Sequence, residues 1–129
     1  MTTALTIQQT AERSGLTVHT LRYYERIGLI KPVARRANGH RLYSPQDLDW
    51  IAFLLRLRAT GMPIEQMRRY AQLREIGNEP GSLAERRAML ERHADGLQER
   101  INELQDTLGY LHRKIDHYAS MENQHKETA

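Results

Sequence analysis

The chain has 129 residues, 40% hydrophobic and only 6% aromatic, enough for one small core plus an appendage but not for a large β-sandwich or barrel. It has no cysteine, which excludes disulfides, thiol redox switching and thiolate metal sites, and no apolar run approaches the ~18 residues a membrane span needs. Its net charge of +3 is unevenly placed: residues 1–80 carry 12 Lys and Arg against 7 Asp and Glu, residues 81–129 carry 7 against 9, a pattern that suits a nucleic-acid module joined to something else.

Thr6-Ile-Gln-Gln9 reads as a capping box opening a short helix, with a hydroxyl at the cap and Gln three residues on. Ile7 and Ala11 lie one turn apart and share a face. Ser14-Gly15-Leu16 interrupts the helix, and Gly15 can take the positive φ that a tight turn needs. Thr17 caps a second helix whose Val18 and Leu21 point back at the first, giving a helix–turn–helix arrangement. Gly28 ends that helix, Leu29-Ile30 is short and apolar, and Pro32 forbids further helix. Residues 31–43 then predict a two-stranded ribbon turning near Asn38-Gly39. Ser44-Pro45-Gln46-Asp47 opens a third helix, with Pro at its first position. Leu48, Ile51 and Leu55, with Ala52 beside them, keep helical spacing and are expected to form its core face. Gly61 closes this helix, Pro63 starts a fourth over residues 64–75, and residues 77–81 read as a hinge.

Ser82-Leu-Ala-Glu85 is a second capping box, opening a long helix expected to reach Tyr118. Leu83, Leu90, Leu97, Leu104, Leu111 and Tyr118 recur every seven residues, and Ala94, Ile101, Leu108 and Ile115 form a second row with the same period. The seam covers about five heptads, which predicts a coiled coil. At ~1.5 Å per residue the helix is on the order of 55 Å long. So small a front domain cannot cover that stripe, so a second copy of the chain is expected to. Arg87 is the one break in the seam, and Gly96 and Gly109 lie off it. The expected domains are residues 4–75 for DNA binding, a hinge at 76–81, a coiled-coil helix at 82–119, and a flexible polar tail at 120–129.

Between Arg13 and Arg41 lie seven Lys and Arg, both ends included, against a single acid, Glu25. Phenol, guanidinium and backbone N–H are the groups that grip phosphate oxygens, so this density points to nucleic acid. Tyr23 and Tyr24 are helix neighbours pointing ~100° apart, so no more than one should be fully buried. Trp50 reads as packing, and His40 as structural or phosphate-facing. His93, His112, His117 and His125 are not read as metal ligands: His112 and His117 lie ~140° apart on a helix, whereas helical chelation prefers i, i+4. No metal and no cofactor are expected. Neither a paired nucleophile and base nor a Gly-rich phosphate loop is found, and Ser14, Ser44, Ser82 and Ser120 fall at expected turns or helix ends where capping explains them. No enzyme is therefore expected. The N-terminus has no basic segment leading into an apolar one, so a cytoplasmic location without a membrane partner is expected.

In order and spacing, Leu21-Arg-Tyr-Tyr-Glu25, Gly28-Leu29-Ile30, Pro32, Gly39-His-Arg-Leu-Tyr43, Asp47-Leu48 and Gly61, behind a helix–Gly turn–helix, resemble MerR-family transcriptional regulators over residues 4–75. The resemblance implies a mainly α fold: a winged helix-turn-helix DNA-binding domain followed by a long dimerisation helix that forms an antiparallel coiled coil. It implies a homodimer on double-stranded promoter DNA that bends and untwists an over-long spacer, acting on RNA polymerase through the DNA. Carried onto this chain, Thr17, His19, Thr20 and Arg22 would face the major groove from the second helix, and Tyr23 and Tyr24 the backbone. Arg41 and Tyr43 would grip phosphate from the wing, supported by Arg35 and Arg36. Leu83, Leu90, Ala94, Leu97, Ile101, Leu104, Leu108, Leu111, Ile115 and Tyr118 would form the dimer interface. The chain lacks the cysteines of the family's thiol metal sensors, and only about ten residues follow the coil, too few for a separate drug-binding domain, so no effector is assigned. An architectural or excisionase-like winged helix, bending DNA without transcriptional control, shares the front half.

Overall fold

The computed structural model describes residues 4–31 and 42–128. The chain divides into two units, Met1–Met89 and Leu90–Ala129. In chain order the elements are β1 (Leu5–Thr6), α1 (Ile7–Ser14), α2 (Val18–Arg26), β2 (Leu42–Tyr43), α3 (Pro45–Ala59), α4 (Ile64–Ile76) and α5 (Pro80–Thr128). Among the described residues no helix is long and apolar enough to cross a membrane.

The caps explain why the first helices begin and end where they do. Thr6 and Gln9 form the reciprocal capping box of α1, Thr6 Oγ1 accepting from the Gln9 amide at 3.2 Å and Gln9 Oε1 from the Thr6 amide at 3.0 Å. Gly15 stops α1 at φ 76°, a left-handed conformation in which its amide returns to the Ala11 carbonyl. Ser44 and Asp47 form a second box at α3, with Pro45 in the first turn. A capping hydroxyl is worth ~1 kcal/mol.

β1 and β2 pair antiparallel, Leu5 opposite Tyr43 and Thr6 opposite Leu42. No local signal before Thr6 predicts this strand, because two residues are too few to show a period. Leu5 and Tyr43 are both buried, so the cross-strand pair seals one side of the core. The expected ribbon turn at Asn38-Gly39 lies outside the described residues.

α1 packs against α2 and α3, and α3 against α4. The core holds Leu21 and Tyr24 of α2, Leu29 and Ile30 after it, Ile51 and Leu54 of α3, and Met67 and Leu73 of α4. The expected face of α3 is partly corrected. Trp50, Ile51, Leu54 and Leu57 are buried, whereas Leu48 and Leu55 are only half-buried and Ala52 is exposed. The helix turns its core face toward α4, where Trp50 stacks on Tyr70 at 5.9 Å between ring centroids.

Two further boundaries differ from expectation. α5 starts at Pro80, and Ser82 lies inside it: its buried hydroxyl donates to the Leu73 carbonyl at 2.6 Å instead of capping the helix. The break after α4 therefore shrinks to residues 77–79, with Gly77 at φ 99°. At its other end α5 continues to Thr128, so residues 120–128 are helical rather than a frayed tail. Within the second unit, Ile101, Leu104, Leu108, Leu111, Ile115 and Tyr118 are all exposed, Leu104 at 68%.

Candidate nucleic-acid interface

α2 is the element that gathers the expected DNA-facing side chains. Thr17 caps it: its Oγ1 accepts from the Thr20 amide at 3.0 Å and also donates to Thr20 Oγ1 at 2.9 Å. Thr17 and Thr20 are thereby locked together at the start of the helix. Leu21 and Tyr24 point into the core. The opposite face carries His19, Arg22, Tyr23 and Arg26, at the i, i+3, i+4, i+7 spacing of one helix side, and all four are exposed. Arg26 lies over the Tyr23 ring, its guanidinium carbon 5.6 Å from the centroid. Arg26 belongs to this face and was not singled out from the sequence, although i+4 from Arg22 is the signal that finds it.

The tyrosine pair divides as the ~100° offset requires. Tyr23 is 41% exposed and Tyr24 3%. Tyr24 cannot meet a DNA backbone with its ring face, which corrects the expectation for it. Its hydroxyl instead accepts from Arg58 Nη1 at 2.8 Å. Tyr43, expected to grip phosphate from the wing, is corrected likewise: its side chain is fully buried opposite Leu5. Arg35, Arg36 and Arg41, expected on the wing, lie outside the described residues.

The second half of the first unit holds the C-terminal end of α2 in place, a task that local sequence did not reveal. Trp50 Nε1 donates to the Leu29 carbonyl at 2.7 Å, and Arg68 Nε to the Ile27 carbonyl at 3.0 Å. The amides of Leu29 and Ile30 both return to the Tyr24 carbonyl. With Arg58 on Tyr24, three side chains from α3 and α4 fix the helix that presents Arg22. Arg58 itself is exposed.

Electrostatically the exposed face of α2 carries two guanidiniums and one imidazole, and its one acid, Glu25, is half-buried to the side. Such a surface offers donors to anionic oxygens and a planar fork to a base edge. Among the described residues no group of three or more His, Asp or Glu is placed to hold a metal ion.

Comparison with known proteins agrees with this geometry. Residues 5–73 match the family model for the MerR HTH family regulatory protein, and residues 48–123 match the model described as MerR, DNA binding. An HTH-type transcriptional regulator from Haemophilus influenzae is 32% identical over 113 residues, covering 88% of this chain and 82% of the relative. The crystal structure of a MerR-family transcriptional regulator from Listeria monocytogenes superposes with a TM-score of 0.81 at 38% identity, covering 88% of this chain and 85% of the other. HiNmlR, a MerR-family regulator lacking the sensor domain, was solved bound to promoter DNA. It superposes with a TM-score of 0.81 at 30% identity over 92% of each chain.

Proposed function

The chain belongs to the MerR family of helix-turn-helix regulators, and from that premise we propose that it acts as a homodimer that reads a promoter through two copies of α2 and bends and untwists the DNA between them. The observation that carries this reading is the basic outer face of α2, held by tertiary hydrogen bonds at one end and a hydroxyl cap at the other. Preorganised helices read base edges with less entropy to lose.

In this reading Arg22 contacts a base edge, Thr17, His19 and Thr20 face the groove, and Tyr23 with Arg26 meets the backbone. Arg35, Arg36 and Arg41 add phosphate contacts from the wing. The apolar seam of α5 is the dimer contact. Fully burying each of its large side chains contributes about 2 kcal/mol. Leu83, Ile101, Leu104, Leu108, Leu111, Ile115 and Tyr118 are all exposed in the single chain. They start about half exposed, so their burial from both copies contributes on the order of 15 kcal/mol in gross terms, enough to match the ~4–15 kcal/mol cost of association. Two α2 helices at a fixed separation can then strain a promoter whose −35 and −10 elements are too far apart, so that RNA polymerase reads both together.

Fluorescence anisotropy against the chain's own promoter tests the reading: tight binding there, and much weaker binding to random duplex at moderate salt, is expected. Equal affinity for both sinks it. An architectural DNA bender needs the same face of α2 but no seam. Transcription in vitro from the neighbouring promoter separates the two readings, since an architectural protein leaves its output unchanged.

A further inference from the structure

The stripe of α3 that the core leaves uncovered is the wall of a groove. Leu48, Ala52, Leu55 and Ala59 follow each other at i, i+4, i+7 and i+11 on one helix side and, with the C-terminal end of α1, line an open groove of about 460 Å³. Arg13 of α1 and Arg56 of α3 stand among the lining residues, and no acid lines it. Neither guanidinium forms an ion pair among the described residues, and both are exposed. The floor is apolar and shallow at its two alanines, so a flat group can approach the helix closely.

We propose that this groove binds a small amphipathic organic anion: a compact apolar body, of roughly two fused rings, carrying one carboxylate or sulfonate. The volume falls within the ~300–1,000 Å³ typical of small-molecule sites. The planar guanidinium fork matches a carboxylate or sulfonate, and the apolar floor takes the ring body. Double-stranded DNA fits less well, because its backbone offers phosphates but no apolar body to cover Leu48 and Leu55. An amphipathic helix of another protein would need an acidic residue fixed between the two guanidiniums as well as apolar anchors, an occupant that the test below separates. This assignment is independent of how the chain recognises DNA.

The test is methyl-resolved NMR of the full chain, with Leu and Ala labelled, titrated with naphthalene-2-sulfonate. Saturable shifts are expected at Ala52, Leu55 and Ala59. The ammonium analogue, 2-naphthylmethylamine, should give none, and the neutral 2-naphthylmethanol should bind roughly tenfold or more weakly. The double variant Arg13→Gln/Arg56→Gln should lose at least about tenfold in affinity. It changes only exposed residues, and its spectrum away from the groove serves as the control for folding. Ala52→Phe, which fills the floor from an exposed position, should abolish binding. The proposal is overturned by shifts that do not saturate at millimolar probe, by equal binding of the ammonium analogue, or by wild-type affinity in either variant. Saturable shifts confined to methyls of α5, or saturable shifts at the groove with an acidic leucine-bearing peptide but not with the sulfonate, overturn it as well.

Discussion

Tyr23 and Tyr24 sit side by side on α2, yet one ring faces water and the other lies in the core with its hydroxyl accepting from Arg58. Different substitution effects follow. Tyr24→Phe should lower stability by about 0.5–1.5 kcal/mol in urea unfolding, since a part-buried hydrogen bond to a cation is lost. Tyr23→Phe should leave stability within about 0.5 kcal/mol while weakening DNA binding. A stability loss at Tyr23 as large as that at Tyr24 would contradict the division. On the same helix, Arg22→Ala should cost about 1–3 kcal/mol on the operator and relax sequence preference. Arg36→Ala should weaken all duplexes alike and lower the log–log salt slope by about one. Titrations of operator and random DNA at several salt concentrations check both, and parallel losses for the two variants would remove Arg22 as a reader. Neighbouring residues on a helix diverge by geometry alone, so the sequence establishes that the two tyrosines part. Which one turns inward depends on where α1 and α3 lie.

At the scale of elements, the caps at Thr6, Thr17 and Ser44 were legible because each depends on residues within three positions. Thr17→Ala should therefore cost ~1 kcal/mol. Ser82 shows where such reading fails. Its spacing to Glu85 imitates a capping box, but Pro80 begins the helix earlier and the hydroxyl reaches Leu73, nine residues back. Ser82→Ala should cost about 1–3 kcal/mol, more than losing an exposed cap, because a buried carbonyl loses its donor. Thermal unfolding of the two variants decides the order, and a smaller loss at Ser82 would mean that its hydrogen bond contributes little. The inner face of α3 is only partly legible for a related reason: of Leu48, Ile51, Leu55 and Ala52, which share apolar periodicity, Ile51 alone is in the core, joined there by Leu54 and by Trp50, which stacks on Tyr70 of α4. Periodicity identifies an apolar side, and only the partner helix decides how much of it is covered.

At the scale of the whole molecule, the heptad seam and the face of α2 belong to one device if the chain dimerises. Leu104→Lys places a charge near the middle of the seam, at its most exposed large residue. Sedimentation should then show monomers, and operator affinity should fall because one chain presents only one α2. A dimer that survives this change would put the interface elsewhere. The first unit has its own buried core, so its unfolding transition should persist in that variant.

By itself, the sequence determined what short-range chemistry controls: the caps, the glycine turns, the basic outer face of the second helix, the heptad seam and the family to which their order belongs. Each of these rests on residues a few positions apart or on a strict repeat. The tertiary structure decided what depends on residues far apart in the chain. It brought Leu5 opposite Tyr43, placed Tyr24 and Tyr43 inside, and turned Trp50, Arg58 and Arg68 toward the end of α2. It also left an apolar groove beside Arg13 and Arg56. Spacing shows which residues share a face of their own helix, but which faces meet is settled only when the helices pack and buried polar groups must find partners.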